Sequence, residues 1–283
     1  MKTILTGLSF SALWASASIA GKLGLRSVEP LVLFNIRFLA AGIILLVIST
    51  AYRKERNPQG NEWKQLAIFG VFNTTLYLGI FIISLQYITA GITALAIALN
   101  PILISIMSGI VMKRKTATSE WIGIVLGMGG VVIAAYPLLS DEQISWTGIG
   151  LLVLSMFAYS YGAVYYSWVK WELSRMTING WQVFMGGLIL LPFTVLFFEG
   201  KNNFDSTFWG SLAWLVLPVS ILSIQLWLRL LKADAVKASL WLFLCPVFGI
   251  TFSTYLLNEP FSFYTIAGGL MVMGALYIGQ RKT

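Results

Sequence analysis

Arg37 is the residue best equipped for chemistry in a sequence that is otherwise strongly apolar. It lies seven residues past Pro30 inside a long apolar run, roughly 10 Å along a helix. Holding a charge there costs roughly 3 kcal/mol, so we expect the side chain to face the interior or a wet cavity. One interpretation is an anchor that binds a carboxylate through two hydrogen bonds. The other, which the sequence favours, is a packing or topology residue that reaches water or helix-end carbonyls.

Aromatic and amide side chains supply the other groups that could bind a solute within the apolar runs. Asn73 and Tyr77 are four residues apart and share a helix face, as do Ser223 and Trp227. Because aromatic faces bind apolar and cationic groups, such a set suits zwitterionic, aromatic or amphipathic solutes. The predicted binding residues are Trp14, Ser18, Arg37, Asn73, Tyr77, Asn100, Tyr159, Tyr161, Ser223, Trp227 and Trp241.

Two prolines, Pro101 and Pro246, lie inside apolar runs and predict interrupted helices. Proline leaves the carbonyl four residues earlier without its helical hydrogen bond, which for Pro101 is that of Ile97. A break of this kind suits bending between two states and equally suits a static kink required by packing. We predict a gating or kink role for both prolines.

The groups that enzymes and metal sites need are scarce. The sequence has no His and a single Cys, Cys245, and no Asp or Glu lies in the middle of an apolar run. An enzyme would need an acid–base pair or metal ligands, so we predict no catalytic residue, no metal and no cofactor. Proton-coupled carriers usually hold a carboxylate inside the membrane. Its absence predicts a facilitator or an exchanger, or coupling by an unfamiliar route.

Ten apolar segments must position these residues. The chain has 283 residues, of which 58% are hydrophobic and 11% charged, whereas a soluble domain has about 25% charged residues. A helix needs about 20 apolar residues to cross a bilayer. The sequence therefore predicts an all-α membrane protein with spans at 3–21, 30–52, 66–86, 91–112, 119–139, 146–168, 178–198, 208–229, 236–257 and 262–280.

The basic residues predict the orientation of these spans. With a cytoplasmic N-terminus, 15 of the 19 Lys and Arg residues lie on the cytoplasmic side, 3 lie outside and Arg37 lies within a span. The positive-inside rule thus predicts that both termini are cytoplasmic. The net charge of +8 is explained by a basic rim facing the lipid bilayer, so we predict no nucleic-acid partner.

The chain also resembles itself at a shift of 145 residues. Pro101 then falls on Pro246, Gly42 on Gly187, and Gly123 on Gly268. This predicts two halves, 1–141 and 142–283, each with five helices. Because five is odd, the second half enters the membrane from the opposite side. Such an inverted repeat is typical of secondary transporters with a site at the midplane.

The repeat unit resembles the EamA domain of the drug/metabolite transporter superfamily across essentially the whole chain. The matching segments include "LWASASIAGKLGL", "IRFLAAGIILL" and "ASLWLFLCPVFGITFSTYLLNEPFSFYTIAGGLMVMGALYI". Pro101, Pro246 and Glu259 fit the family pattern, whereas Arg114 stands where the first half would carry the acid equivalent to Glu259. The resemblance implies export of small metabolites, amino acids or drugs through a cavity between helices 1, 3, 4, 6, 8 and 9.

The first segment also has the anatomy of a signal peptide, with a basic start and the small residues "ASASIA". Removing it would leave nine helices and destroy the five-plus-five symmetry, so we expect no cleavage. The leading hypothesis is a monomeric exporter or facilitator of a small-molecule substrate, most simply amino acids, in a bacterial-type inner membrane. The alternatives are a multidrug or a nucleoside/sugar-type transporter, and more distantly a membrane-embedded enzyme; a sensor or scaffold is disfavoured by the short loops.

Overall fold

Ten helices joined by short segments form the bundle. The computed structural model describes residues 2–84, 87, 88, 90–138, 145–257 and 262–281, and every regular element in these ranges is helical. The helices are α1 (Lys2–Gly24), α2 (Pro30–Tyr52), α3 (Asn61–Ser84), α4 (Ala90–Ile97 and Asn100–Met112), α5 (Thr118–Ala135), α6 (Trp146–Trp168), α7 (Arg175–Leu196), α8 (Ser206–Ala233), α9 (Ala235–Ser239 and Leu244–Leu257) and α10 (Phe263–Gly279).

The lengths of these helices suit a bilayer. In the described ranges, nine helices have at least 18 residues and sufficient apolar character to span it, and α10 has 17. About 17 residues are enough for a crossing, so the predicted all-α, ten-helix fold is confirmed. Residues 139–144 and 258–261, which include Glu259, lie outside the described residues.

Contacts between the two halves dominate the packing. α2 packs against α7, and α5 packs against α10. α1 lies against α8 and α9 of the second half, while α6 lies against α3 and α4 of the first. Adding five to each helix number converts the contacts of α1 with α8 and α9 into those of α6 with α3 and α4, as the inverted repeat requires. α1 and α6 therefore each pack against two helices of the opposite half.

Glycines permit the closest of these approaches, between α5 and α10. A Cβ atom on Gly268 would lie 2.3 Å from the carbonyl oxygen of Gly130, and one on Gly123 would lie 2.9 Å from that of Ala275. Small residues allow helix backbones to approach in this way inside membranes. These two helices thus form a tightly packed wall.

π-helical stretches occur at related positions in α3 and α8. They cover Val71–Leu76 and Leu215–Ser223, and a shift of 145 places 71–76 on 216–221. A π-helical turn changes the face on which the following residues lie and is frequent at functional sites. Tyr77 and Trp227 come soon after these stretches, so in each case a π-helical stretch determines the helix face on which the side chain lies.

The interruptions predicted for α4 and α9 are present. α4 is broken between Ile97 and Asn100, and α9 passes through a tight 3-10 turn at Leu240–Phe243. Pro101 and Pro246 lie in the first turn of the helix that follows each break. No backbone N–H is needed there, which explains how both prolines are accommodated.

Polar contacts between connecting segments fasten the halves at both ends of the bundle. We call the end with the α2–α3, α4–α5, α6–α7 and α8–α9 connections the basic end. There, Glu55 accepts hydrogen bonds from the hydroxyls of Ser174, Thr177 and Ser49. Burial raises the pKa of Glu55, but these hydrogen bonds outweigh it and hold the pKa below its ordinary value. At the other end, Glu29 accepts from the backbone N–H of Lys201 at 2.8 Å.

Candidate functional site

A chain of aromatic rings crosses the centre of the bundle where the halves meet. The Phe10 ring of α1 stacks on Trp227 of α8 with centroids 4.8 Å apart, and Trp227 stacks on Tyr159 of α6 at 5.9 Å. Tyr159 in turn meets Tyr77 of α3 at 4.6 Å. Trp14 and Phe81 extend the two ends, at 6.2 Å from Phe10 and 5.9 Å from Tyr77. We call these six residues the aromatic cluster.

The cluster takes two helices from each half and joins four of the residues predicted from sequence, Trp14, Tyr77, Tyr159 and Trp227. The last three are buried, whereas Trp14 is partly exposed. Phe81, at the other end of the cluster, is also partly exposed, so the centre of the cluster is buried and its two ends are not. Ser18, one turn past Trp14 on α1, is exposed and its hydroxyl donates to the carbonyl of Ala15 at 2.8 Å.

Two hydrogen-bond donors inside the cluster are sealed from solvent. The hydroxyl of Tyr159 and the indole N–H of Trp227 have no hydrogen-bond partner within the described part of the chain. Their residues are 2% and 1% exposed. An unsatisfied buried donor costs about 1–3 kcal/mol, so each of these groups favours an acceptor brought to it.

Arg37 lies beside the cluster rather than within it. The side chain is 3% exposed, and its Nε donates to the Ser220 hydroxyl at 2.8 Å. The guanidinium also lies over the rings of Phe34 and Phe38, 5.2 and 5.6 Å from their centroids, and within electrostatic range of Tyr77. No ion pair of Arg37 with a carboxylate occurs among the described residues. It therefore contributes an uncompensated positive charge close to Tyr77.

Asn73 belongs to a buried amide network between the halves. Its Nδ2 donates to Gln182 Oε1 at 3.3 Å, and Thr74 donates to the same oxygen at 2.9 Å. Gln182 donates to Asn179, which donates to the Ser220 carbonyl at 3.0 Å. Since these amide groups satisfy one another, Asn73 is placed to hold α3 against α7.

Asn100 and Ser223 lie next to the cluster in similar linking positions. Asn100 Oδ1 accepts from the Ser160 hydroxyl at 3.0 Å, and Nδ2 lies 3.2 Å from the Met156 sulfur. The Ser223 hydroxyl donates weakly, at 3.4 Å, to the carbonyl of Phe10. These contacts join α4 to α6 and α8 to α1, so they fix the helices that carry the rings.

Trp241 and Tyr161 are placed away from the ring chain. The indole of Trp241 lies flat against Gly7, where an added Cβ would be 2.1 Å from the ring. Its carbonyl, within the interruption of α9, lies 2.8 Å from the Ser11 hydroxyl. The Tyr161 ring packs on Phe72 at 4.4 Å. Trp241 therefore packs against α1, and Tyr161 lies on a different face of α6 from Tyr159.

Phe10 and Cys245 are central residues that the sequence prediction missed. Phe10 joins Trp14 to Trp227 and is fully buried, and its position four residues before Trp14 is the signal that could have identified it. Cys245 is buried within electrostatic range of Tyr77 and Tyr159. Nothing in the spacing of a lone cysteine points to that position.

A charged cluster closes the basic end between α4 and α9. The guanidinium of Arg114 donates to both carboxylate oxygens of Glu120, at 2.9 and 2.7 Å, and to Asp234 Oδ2 at 2.7 Å. The bonds to Glu120 are the main reason that the pKa of Arg114 is raised, so the cation stays charged. Because Arg114 and Asp234 belong to different halves, this Arg114 cluster is a cross-half contact. The positions that the repeat relates to Arg114 and Asp234, 259 and 89, lie outside the described residues.

The two halves are packed differently at the opposite end. Beside the Arg114 cluster, Asn100–Met112 of α4 contacts Ala235–Ser239 of α9. The remaining portion of α4 packs chiefly on α5 and α6, and that of α9 on α1. A Cβ atom on Gly21 or Gly249 would meet nothing within 4 Å. The bundle is thus closer packed between α4 and α9 at the basic end.

Surface concavities lie away from the aromatic cluster. The larger, about 440 Å³, is lined at the basic end by charged and amide side chains, among them Arg56, Glu62 and Glu172. The second is lined by Gln65, Trp168, Val169 and Lys170. In the larger, Arg56 already pairs with Glu62 and Glu172, and the second has Lys170 as its one charged lining residue. Neither concavity therefore argues for a buried binding site.

Comparison with known proteins gives the same family over both halves. The model of the EamA-like transporter family matches residues 1–136 and 146–279. An uncharacterized transporter of Synechocystis sp. is 26% identical over 99% of this chain and 91% of its own length. The uncharacterized transporter YoaV of Bacillus subtilis is 23% identical over 98% and 96%. The uncharacterized inner membrane transporter YedA of Escherichia coli is 25% identical over 95% and 88%.

A solved crystal structure has the same fold. Its TM-score is 0.83 at 16% identity, and the match covers 99% of this chain and 96% of that one. At this identity the likeness concerns the fold alone.

Proposed function

Since the chain belongs to the EamA-like transporter family and is a multi-pass membrane transporter, we propose that it exports amino acids or related amphipathic solutes. We further propose that it acts as a facilitator or an exchanger in a bacterial-type inner membrane and that one chain suffices. Family membership and relatives named as transporters favour transport over catalysis.

The observation that carries the substrate proposal is the aromatic cluster. It lies where α1 and α3 of one half meet α6 and α8 of the other, the position at which inverted-repeat transporters bind their solutes. Its rings offer apolar faces that also attract a cationic group, while Arg37 and the two sealed donors offer partners for an anionic group. One site with both characters suits a zwitterion with an apolar side chain.

Alternating access is the mechanism that the packing supports. The Arg114 cluster and the contact between α4 and α9 seal the basic end, whereas the outer portions of these helices pack on other partners. We propose that the structure represents a state closed at the basic end and that this end faces the cytoplasm. Opening that end requires the Arg114–Asp234 bond to break. The interruptions of α4 and α9 are the places where the helices would bend.

Exchange of labelled amino acids in proteoliposomes tests the proposal. Vesicles loaded with one unlabelled amino acid at a time should take up the same labelled compound, with saturation, for at least one member of the panel. Nucleosides, sugars and cationic dyes in parallel vesicles represent the alternative substrates. Folded protein that exchanges none of the amino acids, or that exchanges only an alternative solute, contradicts the proposal.

A further inference from the structure

Tyr159 and Trp227 form a pair of buried donors that distinguish the aromatic cluster from an ordinary packed core. The rings stack at 5.9 Å with an interplanar angle of 12°, and both polar hydrogens are unpaired within the described ranges. Buried polar groups in proteins nearly always have a partner. Other unpaired buried donors, Ser108, Ser119 and Trp181, occur singly, whereas these two share one cluster.

The electrostatic surroundings of the pair are positive. Arg37 is buried within electrostatic range of Tyr77, whose ring meets that of Tyr159 at 4.6 Å. The sequence places no Asp or Glu in the middle of any span, so no fixed negative charge opposes Arg37 at this depth. A low-dielectric interior strengthens the effect of that charge on a solute nearby.

We infer that Tyr159 and Trp227 are specificity-determining residues that donate hydrogen bonds to a carboxylate of the transported solute. This inference rests on the proposed function and deepens it by stating which pole of the solute the site recognises. The carboxylate lies against the two donors on the side of Arg37, and the apolar part of the solute lies along Phe10 and Trp14. A solute whose only charge is positive has no partner at the donors and is repelled by Arg37, so the site rejects cationic amines.

Matched acids and amides test this assignment. Phenylalanine and leucine are compared with phenylalaninamide and leucinamide as competitors of the saturable exchange catalysed by the native protein. Losing hydrogen bonds to a charged group costs about tenfold or more in affinity. We expect each acid to compete at least tenfold better than its amide.

Variants assign that discrimination to the two donors. Tyr159→Phe and Trp227→Phe each remove a donor and retain an aromatic ring, so the acid-to-amide preference should fall severalfold in each. Tyr166→Phe is the control, because Tyr166 is also buried on α6 but packs on Phe69 and Trp171, outside the cluster. The control should retain the preference. The thermal unfolding temperature of each variant shows that it is folded.

The outcomes separate this inference from the proposed function. Saturable amino acid exchange with no acid-to-amide preference, or with a preference unchanged in both variants, overturns the inference and leaves the function standing. Competition by phenethylamine as strong as that by phenylalanine overturns it too. Absence of exchange for every amino acid overturns both.

Discussion

Neutralising Asp234 should release the basic end of the bundle. Asp234→Asn removes the negative charge that Arg114 binds at 2.7 Å. Asn is as good a helix N-cap as Asp, so the bond from the Lys237 backbone N–H that begins α9 is retained. The substitution therefore isolates the cross-half ion pair from the local structure of α9.

The size of the effect follows from burial and distance. Two unit charges about 4 Å apart interact by roughly 4 kcal/mol at a protein surface and about 1 kcal/mol in water. The Arg114 and Asp234 side chains are 22% and 27% exposed, and Arg114 keeps its bonds to Glu120. We therefore take the lower part of that range, roughly 1–2 kcal/mol, which shifts the equilibrium toward an open basic end by about 5- to 30-fold.

Cys245 provides the assay, because it is the single cysteine of the chain and is buried within electrostatic range of Tyr77 and Tyr159 of the aromatic cluster. A membrane-impermeant maleimide is added to vesicles whose basic ends face the reagent. The labelling rate should rise at least fivefold in Asp234→Asn. Asp205→Asn is the matched control: Asp205 caps α8 and binds the Ser27 hydroxyl at the opposite end, so labelling from the basic end should stay at the native rate. A native labelling rate in Asp234→Asn would refute the proposal that the Arg114–Asp234 bond holds the basic end closed.

Three further perturbations test the packing, the electrostatics and the energy source. Gly268→Ala would place a Cβ 2.3 Å from the Gly130 carbonyl oxygen, so it should destabilise the fold by about 2 kcal/mol or more and lower the unfolding temperature in detergent. Gly274→Ala is the control, because an added Cβ there meets nothing within 4 Å, and it should leave the unfolding temperature unchanged. Equal effects of the two substitutions would contradict the close packing of α5 on α10. The pKa of Glu55 lies below its ordinary 4.5, so its ionised form stabilises the fold above that pH, and this stability is lost as pH falls from 4.5 through the folded pKa. Unfolding temperatures should therefore drop less steeply in Glu55→Gln than in the native protein as the pH is lowered from about 5 to about 3. Amino acid exchange in proteoliposomes should persist when an ionophore dissipates the proton gradient at a fixed substrate gradient. Its collapse would contradict a facilitator or an exchanger.

The ten helices could be predicted because the bilayer imposes their length and the breaks between them are charged or turn-rich. The ends were less accurate, since caps rather than bilayer thickness decide them. α8 continues to Ala233 because Asp234 begins the next helix, and α3 starts at Asn61 rather than 66. The orientation of the termini stays a prediction from the basic residues.

Individual members of the candidate site could be predicted from spacing, but their meeting could not. Tyr77 and Trp227 stand out on single helices, whereas the stack of Phe10 on Trp227 joins residues 217 positions apart. The π-helical stretches and the interruption of α9 shift side chains between faces in a way that regular periodicity does not encode. Trp241 illustrates this, because it packs on Gly7 instead of joining the rings. The partner of Arg37, Ser220, is likewise 183 residues away.

Saturable amino acid exchange by Trp227→Leu tests most directly whether the solute passes through the aromatic cluster. Trp227 is 1% exposed at the centre of the cluster, whereas Trp209 is 58% exposed on the outer surface, so Trp209→Leu is the control. With equal amounts of folded protein, exchange should fall at least tenfold in apparent affinity or rate in Trp227→Leu and stay at the native level in Trp209→Leu. Native exchange kinetics in Trp227→Leu would contradict the placement of the substrate site.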